Sequence, residues 1–215
     1  VQFKSPFQRM YQQVHISTTS SDVGFIQQYF NRQNLTGGVA ILTFDHWASK
    51  IIDTQNDPRG HGTFTLSTFQ GKNGKKLTII GAYISVQIGT DSGINTLHSQ
   101  QTFLKENQQL KDKNSGMSKC PRKEAIKALS RIIGKLQEED HAIVLAVDAN
   151  QTLAECRTSQ GIKMHSIEWL RLEHDLQDPF INLTGNRPPS TTIFEGHDID
   201  YVLTHGIDVK HITTL

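Results

Sequence analysis

The segment Ile143-Val144-Leu145-Ala146-Val147-Asp148-Ala149-Asn150 constrains this chain more than any other. An unbroken apolar run ends in a carboxylate, and an amide follows two positions later. A short run of this kind reads as a buried strand. Asp148 and Asn150 then stand where the strand emerges, and in layered α/β enzymes that is where polar groups converge on a ligand. Asp and Asn are also good turn residues, so the pair alone reads first as a turn after a strand. Asp198-Ile199-Asp200-Tyr201-Val202-Leu203 places two acids at the start of another apolar run. Two acid-bearing strand ends in one domain point to hydrolytic or metal-assisted chemistry.

The flanking segments alternate between strand and helix signals. Gly37-Gly38 leads into 39–44, which reads as a turn and a buried strand. Residues 63–69 are β-branched and aromatic, and Asn73-Gly74 then signals a hairpin returning along 77–83. Pro121 suits a first helical turn, and Ala125, Ile126, Leu129, Ile132, Ile133 and Leu136 form a stripe behind it. A polar helix is expected over 97–110. A second amphipathic helix is expected over 164–176, with Ile167, Leu170 and Leu172 buried. The last strand is expected at 199–204. Residues 1–36, rich in Gln, Ser and Thr, carry no clear assignment. Hairpins first and helix–strand units after imply a mixed α/β layered domain.

A length of 215 residues suits one sizeable domain. Net charge is +1, from 22 basic and 21 acidic residues, so no strong overall field draws in nucleic acid, although local basic patches are compatible with it. No apolar run approaches the roughly 20 residues that span a bilayer. Cys120 and Cys156 have no second cysteine at metal-ligand spacing and fit free thiols in a reducing, intracellular compartment, nuclear or cytoplasmic. The chain opens with Val1, without a signal-peptide pattern, and a preceding segment is expected.

The order of these pieces resembles the endonuclease/exonuclease/phosphatase superfamily, the fold of deoxyribonuclease I and the abasic-site endonucleases. The resemblance rests on the Gly-Gly strand, the hairpin ending in Tyr83, the strand ending Asp148-Ala149-Asn150 and the strand opening Ile199-Asp200-Tyr201. It covers roughly residues 37–205. The hairpin, Gln100-Gln101 and Pro121-Arg122 resemble most the versions in retrotransposon-like reading frames.

The resemblance implies a four-layer α/β sandwich with two central mixed sheets and a phosphodiesterase site using Mg²⁺ or Mn²⁺. It implies a metal-dependent phosphodiester hydrolase, an endonuclease on DNA or RNA. The alternatives are a phosphatase acting on a phosphoinositide or other small phosphate ester, and a degenerate binding domain. It assigns Asp148 to orienting and deprotonating the attacking water, Asn150 to the phosphate or that water, and Tyr83 to the phosphate. Asp200 is assigned to orienting a catalytic histidine. The chemistry needs such groups: a base near the attacking oxygen, and charge neutralisation on the phosphoryl oxygens.

The sequence also departs from the family pattern. Val147 and Ala149 stand where the family has Gly and Phe, Ser85 replaces a Pro, and Asp198 replaces a basic residue. The family's metal-binding Glu, in a Gln-Glu pair, is expected upstream of Val1. Its Ser-Asp-His motif has no counterpart in the 15 residues after Asp200. Residues 1–215 are therefore expected to be a single domain incomplete at both ends and inactive alone.

Other residues bear on the same site. His197, just before the acid pair, and Arg59, in the loop before the hairpin, are expected to contact substrate. His61 is expected to be structural or solvent-exposed, Lys72, Lys75 and Lys76 a solvated hairpin tip, and Asp178 a cap at a helix–loop junction. Tyr201 points opposite to Asp200 and is expected in the core.

Overall fold

The computed structural model describes residues 14–19, 38–59, 61–86, 101–102, 120–186 and 199–212. In chain order the elements are β1 (Val14–Thr19), β2 (Val39–Phe44), α1 (Asp45–Ala48), β3 (Ile51–Asn56), β4 (Phe64–Gln70) and β5 (Lys76–Tyr83). They continue with α2 (Pro121–Glu138), β6 (His141–Asp148), the short pair β7 (Arg157–Thr158) and β8 (Gly161–Ile162), α3 (Ile167–Glu173), α4 (Pro179–Thr184) and β9 (Asp200–His205).

Five strands form one mixed sheet in the order β3-β4-β5-β6-β9. The hairpin forms where Asn73-Gly74 places it, with Asn73 at φ 56° in a 3-10 turn. β5 and β6 run parallel, joined by a crossover that includes α2, and the other pairs are antiparallel. Leu66, Ile80, Leu145 and Leu203 face each other in register across four strands, and none is more than 1% exposed. Leu129 and Ile133, on the buried stripe of α2, complete this core. The spacing by three and four that defined the stripe is the spacing that brings one helix face onto a sheet.

The opposite face of the sheet meets β1 and β2, which pair with each other antiparallel. The approach is close at Gly81, where a Cβ would stand 2.9 Å from Val39 Cγ1 and 3.4 Å from Ile41 Cγ1. Replacing Gly81 with Ala should therefore cost about 1–3 kcal/mol through overpacking. Denaturant unfolding measures it, and a loss under about 0.5 kcal/mol would mean that the two sheets part easily. The expected sandwich is thus present as a helix layer, a central sheet and a small second sheet among the described residues.

Three expectations are corrected. Residues 39–44 do form a strand, but it is not buried throughout: Leu42 is 38% exposed, because β2 covers the central sheet with one face only. The second helix is shorter than 164–176. Ser166 caps it by accepting the Trp169 N–H, and His165 (φ 60°) and Asp175 (φ 47°) lie in left-handed backbone beyond its ends. Leu172 is half exposed, since it lies about 200° round the helix from buried Leu170. Most of the helix expected over 97–110 lies outside the described residues. Among the described residues no helix is long and apolar enough to cross a membrane.

Candidate active site

β5, β6 and β9 end or begin at the same edge of the sheet. Parallel pairing sets Tyr83 beside Asp148, and antiparallel pairing sets Asp148 opposite Asp200. Tyr83, Asp148 and Asp200 therefore form one row across three neighbouring strands. Residues directly opposite each other in an antiparallel pair lie about 5 Å apart. Strand alternation turns the row toward the face that carries Gly81, away from α2. Tyr201, one position along β9, points the other way into the core as expected, and its hydroxyl donates to Gln151 O at 3.0 Å.

Asn150 follows in a tight turn. Its backbone N–H donates to Asp148 Oδ1 at 3.1 Å, and its φ of 45° is left-handed, which Asn tolerates better than most residues. The turn reading of this pair is correct, and the turn lies beside the Tyr83–Asp148–Asp200 row. One Asn150 Nδ2 hydrogen goes to Ile84 O at 3.0 Å, which aims the amide, and the amide also lies close enough to the Asp148 carboxyl to lower it. Ile84 N–H in turn donates to Asp148 O at 2.8 Å.

Arg122, in the first turn of α2, is the residue the sequence reading passed over as a site group. Its Nη1 donates to Ser85 O at 2.8 Å and its Nη2 to Ala149 O at 2.6 Å. The available signal was the Pro121-Arg122 step at a helix start, which fixes where an arginine emerges but not what it reaches. Ser85 is held further by Gln101, whose Nε2 donates to His61 O.

Arg59 has a different setting from the one expected. Its Nε donates to Asp57 Oδ1 and its Nη2 to Asp57 Oδ2, both at 2.8 Å, and its Nη1 donates to Glu124 O. Burial alone would raise the Asp57 carboxyl, but Arg59 outweighs it and holds that carboxyl below its usual value. The guanidinium thus ties the loop before β4 to the start of α2, and the Tyr83–Asp148–Asp200 row does not include it. His197 lies outside the described residues. Asp178 does cap a helix, but the following one: it is the N-cap of α4, accepting the Phe180 and Ile181 N–H groups.

No protein-family model matches the sequence, and no curated protein matches it. Solved structures do. The human Nocturnin catalytic domain with bound sulfate superposes with a TM-score of 0.53 at 12% identity, covering 94% of this chain and 64% of that one. The 3′ phosphatase NExo from Neisseria, bound to a product DNA hairpin, gives 0.53 at 15% identity, covering 95% of this chain and 71% of that one. The chain has the DNase I-like fold of the endonuclease/exonuclease/phosphatase proteins. It spans less than two thirds of the Nocturnin domain.

Within this DNase I-like sheet the acid row has a distinct electrostatic character. Burial raises the Asp148 carboxyl above its usual value, and nearby Asp200 adds to that, while Asn150 and Arg122 pull it back. Burial also lowers the Arg122 guanidinium, opposed by surrounding negative groups that include Asp148. Guanidinium remains charged in any case. Asp200 is solvent-exposed.

Beyond the row, the same face of β6 and β9 is open among the described residues, with Val202 49% exposed. A cavity of about 420 Å³ lies there, lined by Asp148, Asp200 and Val202 and bounded by Phe180 and Ile212. The exposed Asp200 carboxylate suits a hard cation such as Mg²⁺, which often takes one or two carboxylates and completes its shell with water. No group of three or more His, Cys, Asp or Glu residues gathers for a metal among the described residues.

Proposed function

We propose that this protein hydrolyses phosphodiester bonds in nucleic acid. The observation that carries the reading is the row Tyr83, Asp148 and Asp200 at one sheet edge, with the Asn150 amide aimed beside it. Asp148 acts as the base. Its carboxylate takes a proton from a water molecule as that water's oxygen bonds to phosphorus and the ester bond to the leaving oxygen breaks. The leaving oxygen takes a proton from solvent. A carboxyl raised by burial is the better proton acceptor. Asn150 donates an amide hydrogen to a phosphoryl oxygen without adding negative charge. The Tyr83 hydroxyl donates to another, and such donors stabilise charge as it develops in the transition state.

Mg²⁺ or Mn²⁺ is the proposed cofactor. Asp200 would hold it, and the ion would supply charge neutralisation at the phosphoryl group. His197 is retained as a proposed substrate contact.

Nucleic acid is favoured because one solved structure of this fold is a 3′ phosphatase holding a DNA hairpin. The bound sulfate of the other has the shape and charge of a phosphate group. Among the described residues the face around Asp200 is open, which suits a polymer. A small phosphate ester is the second reading, favoured by the net charge of only +1. The whole protein, supplied with Mg²⁺, should be offered single-stranded and duplex DNA, RNA, and inositol phosphates side by side. Metal-dependent cleavage of a polymer supports the proposal. Turnover of the inositol phosphates alone supports the second reading, and no turnover with any substrate ends both.

A further inference from the structure

We infer that Arg122 is a positioning residue for the hydrolysis proposed above, on which this inference rests. Its guanidinium holds the chain beyond Tyr83 and the turn between Asp148 and Asn150 in one fixed relation. The β5–β6 ladder ends at the Tyr83–Asp148 pair, so the two segments leave the sheet side by side with no further ladder between them. Two direct bonds cross that gap, Ile84 N–H to Asp148 O at 2.8 Å and Asn150 Nδ2 to Ile84 O at 3.0 Å. Arg122 adds a bridge, with one arm on Ser85 O at 2.8 Å and the other on Ala149 O at 2.6 Å.

The chemistry explains why this residue is arginine. The guanidinium is a planar fork with donors in fixed directions, so it spans two carbonyls at a fixed separation, whereas an ammonium is a point donor on a flexible stem. The arm is anchored as well. Arg122 sits next to Pro121 in the first turn of an 18-residue helix whose inner face is packed into the core. Ala149, the residue it grips, is fully buried and separates the proposed base from the left-handed Asn150. Each guanidinium arm places one N–H on a backbone carbonyl, so the side chain acts on the site through Ser85 and Ala149. A displacement of about 1 Å in a reacting group can cost about a hundredfold in rate.

The test compares the whole protein with Arg122→Met and Arg122→Lys, reading kcat and KM on a DNA phosphodiester substrate and amide hydrogen exchange at Ile84 and Asn150. Arg122→Met should lower kcat by about 10- to 100-fold while KM stays within about threefold. Exchange at the two amides should quicken by about tenfold or more, with the core strands unaffected. Arg122→Lys keeps the charge without the fork and should recover only part of kcat. It also carries the test if Arg122→Met does not fold.

An unchanged kcat would overturn the inference. A raised KM with kcat retained would overturn it too, since that marks a direct substrate contact. So would faster exchange throughout the molecule in both variants, which marks a merely structural role. If the unmodified protein cleaves nothing, the proposed hydrolysis fails, and the exchange at Ile84 and Asn150 alone decides whether Arg122 joins the two segments.

Discussion

Replacing Asp148 with Asn is expected to slow phosphodiester hydrolysis by about 10²- to 10⁴-fold, the usual contribution of a positioned general base. The substitution keeps the shape of the side chain, and Asn at this position still accepts the Asn150 N–H. The loss should therefore fall on kcat, with KM changed little. A rate within about threefold of the original would remove Asp148 from the role of base.

The same change should not weaken the fold. Burial and the nearby Asp200 raise the Asp148 carboxyl, so the native state binds this proton more tightly than the unfolded chain does. The stability that such a group contributes is complete below its unfolded pKa and is lost as pH rises through the raised folded value. Near pH 7 the ionised carboxylate is a burden that Asn does not carry, so the variant should melt no lower than the original. Below about pH 4 both side chains are neutral, and the difference should close. A variant that melts well below the original at neutral pH would show that the Asp148 charge supports the fold.

Replacing Leu145 with Ala is expected to cost about 2–5 kcal/mol. Leu145 is fully buried between Ile80 on one side and Leu203 on the other, with the α2 stripe above. No neighbouring side chain can fill the space without leaving its own row. In a protein of this size the thermal midpoint should fall by roughly 4–20 °C. Leu145 also lies three positions before Asp148 on the opposite face, so turnover at low temperature should survive in the folded fraction. A loss under about 1 kcal/mol would mean that the sheet closes over the cavity.

Residues whose role follows from their own strand or turn were readable in the sequence. The run into Asp148, the stripe of α2, the Asn73-Gly74 hairpin and the outward Asp200 each follow a local period or turn rule. β3 was not readable, because Ile-Ile-Asp-Thr-Gln-Asn shows no alternation; as an edge strand it is largely exposed. α4 was missed although Asp178, Pro179 and Gly185 mark its cap, first turn and left-handed end, because its six residues hold too few apolar positions to show a period. Arg122 and Arg59 illustrate a different limit. Both are basic residues near the site, and their roles are fixed by carbonyls and a carboxylate that the fold brings to them. Only the assembled structure separates the arginine that bridges the Tyr83 and Asp148 segments from the one that ties a loop to α2.

The parallel pairing of β5 with β6 has a kinetic consequence. Thr78 and His141, bonded across that pair, are 63 residues apart in the chain. Closing so long a loop is slow compared with forming the local β4–β5 hairpin or α2. Tyr83 and Asp148 meet only when this pairing is complete, so the acid row is assembled late by construction. During refolding, helix signal and hairpin protection should return first, and activity should return only with the joining of the two halves of the sheet.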